Sequence, residues 1–156
     1  MILEAHGIKL HVPDDYEARI YGRRDGTATL HLGSFALPAR DADFGTRATG
    51  VMPAGSAFVS VTEYMPSRSL TPGVGLFAHR GIPLPLDPRR FHPDALNRPR
   101  PGRVGHQQFF TEGGRPFCLF AVVRRPRASG TSARAHAAHI AGLNHALSTL
   151  AISPRG

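Results

Sequence analysis

The chain has 156 residues, 41% of them apolar, which suffices for one domain with its own core and is too much for a wholly disordered polypeptide. Its net charge of +8 is unevenly placed: residues 1–88 carry eight bases against nine acids, whereas residues 89–156 carry eleven arginines against Asp94 and Glu112. That asymmetry points to an anionic partner, and the longest apolar run, Phe117 to Val123, is far too short for a bilayer-spanning helix.

The predicted elements run as follows. Ile8, Leu10 and Val12 alternate with Lys9 and His11, the pattern of a half-buried strand, and Pro13-Asp14-Asp15 stops it. Tyr16, Ala18 and Ile20 alternate with Glu17, Arg19 and Tyr21 in a second strand, which Asp25-Gly26 turns. A third strand is expected from about Thr27 to Leu37. Its apolar parity changes between Leu32 and Phe35, so a bulge is expected at Gly33-Ser34. Residues 38–55 read as loop, and Ala57 to Met65 as a further strand.

From Pro66 to Gly105 the character changes. Eight Pro and five Gly in that stretch oppose continuous helix or central strand, leaving a long irregular segment with one short helix opening on Pro93. Gln107–Glu112, Gly113-Gly114 and Arg115–Arg124 then spell a hairpin. Glu112 and Arg115 are expected to pair across its turn, a contribution of about 0.2–1 kcal/mol. Phe117–Val123 holds no polar side chain, which marks a strand covered on both faces. A basic linker at 124–131 leads to a helix capped by Thr131 or Ser132, with His136, Ile140, Leu143, Leu147 and Leu150 on one stripe and Pro154 as its stop. The sum is an α+β domain spanning 1–156: a mainly antiparallel sheet packed against a C-terminal helix, interrupted by the Pro/Arg-rich segment at about 66–105.

The opening Gly7-Ile8-x-Leu10-x-Val12-Pro13-x-x-Tyr16, with the late apolar strand and amphipathic C-terminal helix, resembles PsbP-like α/β sandwich domains. The resemblance covers roughly the first 20 and last 45 residues. Asp15-Tyr16 stands where such families usually carry Gly-Trp. It implies a small sheet-and-helix scaffold that binds partners and is usually not catalytic, and it transfers no active-site residue.

No motif specifies a reaction. His136 and His139 are neighbours on a helix, but His145 points away and no acid follows Gly113, so no metal site is assigned. Cys118 cannot form an internal disulfide and sits in the most apolar strand, where burial opposes the thiolate. Asp43-Phe44-Gly45 spells a kinase tripeptide without its companions and is read as chance, and Gly73-Val74-Gly75 lacks the third glycine of a dinucleotide fingerprint. Glu63 is expected at an exposed or edge position. No cofactor is assigned. No basic region followed by an apolar core of signal-peptide type opens the chain, so a cytoplasmic location is expected.

The remaining candidate is the segment 89–103, in which Pro99 and Pro101 hold arginines on an extended backbone. Guanidinium groups there can meet carboxylates or phosphates bidentately. The expected partner-binding residues are Arg89, Arg90, Arg98, Arg100 and Arg103, with Arg124 and Arg125 of a second cluster that also includes Arg127. The leading expectation is a non-catalytic domain that binds an acidic protein surface through this basic loop. The alternatives are nucleic-acid binding, with Phe91 and His92 to stack on bases, and a small-ligand or enzyme pocket using His136, Glu63 or Tyr64.

Overall fold

The computed structural model describes residues 1–126 and 133–155. Among the described residues, eight strands form two sheets. The larger, in the order β3-β4-β5-β7-β6, is antiparallel throughout and joins β3 (Glu17–Gly22), β4 (Ala28–Gly33), β5 (Ala57–Glu63), β6 (Arg103–Glu112) and β7 (Arg115–Arg124). The smaller joins β1 (Ile2–Ala5), β2 (Ile8–His11) and β8 (Ala151–Ile152). The helix α2 (Ala133–Leu147) packs between them, as the expected α+β class requires.

One face of the large sheet is apolar by strict alternation. Leu30 and Leu32 of β4, Val59 and Val61 of β5, and Leu119, Ala121 and Val123 of β7 meet Ile140, Leu143, Ala146 and Leu147 of α2 with Ile8 and Leu10 of β2. The stripe read from the helix is therefore buried, with His136 half-buried at its start. The proposed caps Thr131 and Ser132 lie outside the described residues, as does Arg127. The helix ends at Leu147, and the chain returns as β8 before Pro154, so Pro154 follows a strand instead of stopping the helix.

The opposite face is mixed. Phe58, Phe120 and Val122 pack with Leu37, Ala48 and Met52, while Thr29, His31, Ser60, Thr62 and Cys118 continue the same face as a buried polar strip. The segment between β4 and β5 covers it. The parity change at Gly33-Ser34 is the end of β4 and no bulge: Ser34 N–H bonds the Ala57 carbonyl, and Phe35 and Leu37 then pack on the second face. Within the expected 38–55 loop the chain forms one short helix, α1 (Thr46–Val51). The Asp43 carbonyl accepts from the hydroxyls of Thr29 and Thr62, both at 3.0 Å, and lies 2.8 Å from His31 Nε2, which fastens this segment to the strip. Gly45 follows at φ 72°, and a Cβ there would lie 2.2 Å from the Phe58 ring. Asp43-Phe44-Gly45 thus has a structural task set by backbone shape.

The hairpin of β6 and β7 turns at Gly113-Gly114, both at positive φ, with Glu112 opposite Arg115. Those two side chains do not pair. Glu112 accepts from Gly113 N–H, and Arg115 reaches Glu63 at 3.0 Å. Glu63 is buried, 2% exposed, which corrects the exposed or edge position expected for it. β7 lies between β5 and β6 with residues 115–123 all buried, in keeping with its unbroken apolar run. The Pro-rich segment contributes 3-10 turns at Gly75–Phe77, Pro88–Arg90 and Pro93–Ala95, and its last three residues, 103–105, already belong to β6.

Candidate anion-binding surface

The arginine-rich segment does not form one ribbon. It wraps the outer edge of β6, where His92 bridges Gly105, and its two ends serve opposite faces of the sheet. Phe91 enters the apolar core beside Leu86, while Leu96 packs on the cluster of Phe58 and Phe120. Arg89 and Arg90 accordingly lie near the start of α2, where His136 Nε2 is 2.9 Å from the Pro88 carbonyl. Arg98, Arg100 and Arg103 lie on the other side, against α1.

Around α1 the geometry is set by carbonyl groups. The last turn of a helix leaves carbonyls without intrahelical donors. Arg103 supplies them: its Nε donates to Thr49 O at 2.7 Å and its Nη2 to Gly50 O at 3.2 Å, while Nη1 donates to Pro101 O at 2.9 Å. Arg124 Nη1 donates to Met52 O at 2.6 Å. Arg100 lies over Gly50, where a Cβ would stand 3.1 Å from its Nη2. Burial, then the charges of Arg124 and Arg100, lower the Arg103 pKa, and no carboxylate offsets them.

At the other end of α1 Asp41 acts as the cap. One carboxylate oxygen accepts from Ala42 N–H and Arg47 N–H, and the other from Ala48 N–H, each at 2.8 Å. Among the described residues it forms no ion pair with an arginine. A narrow cleft of about 20 Å3 lies between α1 and the 96–103 strap, floored by Phe44, Leu96, Phe120 and Val122 and rimmed by Arg98 and Arg100. It has room for about one water. An adjoining groove of about 470 Å3 is lined by Arg40, Asp41, Ala42, Thr46, Arg47 and Arg100.

The expected contact residues therefore fall into three groups. Arg98, Arg90 and Arg125 are exposed, and Arg100 is half-buried; among the described residues none of these four side chains has an ion pair or hydrogen bond. Arg89 is exposed but held by Asp87 at 3.1 Å. Arg103 is buried and half-buried Arg124 is turned to a carbonyl, which corrects the reading of both as projecting charges. Arg40 and Arg47, equally unpaired, belong to the surface and were not singled out from the sequence. Nearby Asp41 and Asp43 cancel their charge in a local count along the sequence, although among the described residues neither forms an ion pair with them.

His136, Glu63 and Tyr64 do not converge. Glu63 meets Arg115 and Arg155, Tyr64 packs on Phe77 and Phe109, and His136 stands against Phe91. Burial pushes the Cys118 thiol up to about 12, and burial lowers the imidazole of His106. No group of three metal-ligating side chains occurs among the described residues. Nor is any helix among them long and apolar enough to cross a membrane. Compared with protein-family models, with curated proteins and with solved structures, the chain matches none.

Proposed function

We propose that this chain is a non-catalytic module that docks an acidic protein partner on the arginine surface around α1. The observation that carries the reading is the charge imbalance there: Arg100, Arg103 and Arg124 act on one another with no carboxylate among them, and Arg40, Arg47 and Arg98 stand unpaired beside them. An acidic surface relieves that repulsion and fills the free guanidinium forks. The reading agrees with what the PsbP-like resemblance implies, a partner-binding sheet-and-helix scaffold.

A protein is favoured over nucleic acid by the fate of Phe91. Single-strand binders stack bases on exposed aromatic rings. Phe91 is 5% exposed and packed on His106 and His136, so it offers no platform. A drug-sized ligand is disfavoured at this surface: the cleft holds about one water, and the larger groove is lined by Arg40, Asp41, Ala42, Thr46, Arg47 and Arg100, without the apolar and aromatic walls such ligands need.

The test is a double variant, Arg98→Ala with Arg100→Ala, used beside the wild-type chain for affinity purification from the native host. Neither side chain is bonded within the protein, so an unchanged melting temperature and loss of the enriched acidic partner are expected. Equal recovery of that partner overturns the reading.

A further inference from the structure

We infer that the groove beside α1 receives an extended acidic segment of the partner protein, its carboxylates seated on Arg47 and Arg100. This deepens the function proposed above and rests on it. The groove, about 470 Å3, has three cations on its walls, Arg40, Arg47 and Arg100, and one anion, Asp41. Both oxygens of Asp41 accept from backbone N–H groups, and among the described residues none of the three arginines has a direct ion pair. The formal charge of the lining is +2, matched by two adjacent carboxylates.

Arg100 is the pre-set member. Pro99 and Pro101 flank it, and proline restricts both its own backbone and that of the residue before it. Its guanidinium lies against Gly50, where a Cβ would stand 3.1 Å from Nη2, a tight approach that the missing Cβ leaves unstrained. Arg103 and Arg124, both pinned to carbonyls of this region, add their field and cannot turn away to relieve it. An acidic chain entering the groove therefore meets Arg100 on a backbone already restricted by its flanking prolines, with a guanidinium that no group among the described residues engages by hydrogen bond or ion pair. No aromatic ring lines the groove, so nothing in it is suited to a nucleobase.

The experiment titrates a fluorescein-labelled hexaglutamate peptide into the full chain and reads anisotropy. Saturable binding that weakens as salt rises from about 50 to 200 mM is expected. Arg47→Ala and Arg100→Ala should each weaken it about two- to fivefold. Arg134→Ala removes one charge from the exposed side of α2 and should change nothing.

Equal losses in Arg134→Ala and Arg100→Ala would reduce the effect to net charge and overturn the site. Tighter binding of a phosphoserine peptide of equal charge would overturn the carboxylate assignment. Absence of hexaglutamate binding, with the native partner still lost in the Arg98/Arg100 double variant, would remove this site and leave the proposed function standing. Tighter binding of a hexathymidylate strand than of hexaglutamate would sink both.

Discussion

Replacing Glu63 by Gln tests the reasoning about buried charge most sharply. One Glu63 oxygen accepts from Ala28 N–H at 3.1 Å and Arg115 Nη2 at 3.0 Å; the other accepts from Arg115 Nε and Arg155 Nε, both at 3.0 Å. Arg115 is 3% exposed, donates to Ser153 O at 3.0 Å, and lies 5.2 Å from the Phe117 ring centre. An amide in place of the carboxylate leaves Arg115 buried without a counter-ion, a cost of about 3–5 kcal/mol. For a chain of this length that corresponds to a melting temperature lowered by about 6–20 °C. Arg155 is 47% exposed, so Arg155→Ala should cost only about 0–1 kcal/mol.

The pH dependence has a definite sign. Burial pushes the Glu63 carboxyl upward, but hydrogen bonds from Arg115 and Arg155, reinforced by their charges, outweigh it and hold the group below its ordinary value of 4.5. A folded pKa below the unfolded one means the stabilisation is complete above about pH 4.5 and is lost as pH falls through the folded value. Thermal melts followed by circular dichroism should therefore show a wide gap between wild type and Glu63→Gln at pH 7 that closes on acidification below about 4.5. A gap under about 2 °C at pH 7, or one that widens in acid, would refute the account of this triad.

Three further outcomes are expected. Arg103→Ala removes donors to three carbonyls and should lower stability by about 1–3 kcal/mol in urea titration, whereas Arg98→Ala should leave the midpoint unmoved. Gly45→Ala forces a Cβ into Phe58 at positive φ and should cost about 2–4 kcal/mol, read as a lower melting temperature. Cys118, 1% exposed and with its thiol pushed up to about 12, should resist a disulfide reagent at pH 8 in the folded protein and react within seconds once denatured; rapid labelling of the native chain would contradict its burial.

Much of the fold is legible because strands and helices advertise themselves over a few neighbouring residues. The alternation at 8–12 and 16–21, the Gly113-Gly114 turn and the stripe of Ile140, Leu143 and Leu147 each express a local period, and each appears where that period puts it. β1 left no comparable signal: Ile2 is 63% exposed, and the strand exists through its pairing with β2. α1 was equally silent, since its start is capped by Asp41 from outside the helix and its end by Arg103 from far along the chain.

The amino-acid order alone determined where the arginines are dense, which strands are apolar and where the chain must turn, since these depend on composition and short-range geometry. It did not determine which charges remain free. Glu63 took Arg115 and not an aqueous position, Asp41 spent itself on backbone N–H groups, and Arg103 folded onto carbonyls of α1. A charge is neutralised by whatever stands within a few ångströms of it, and those neighbours lie tens of residues apart in the chain. Only the tertiary structure therefore decided that Arg47 and Arg100, brought together from separate segments, share one groove while Arg103 does not project into it.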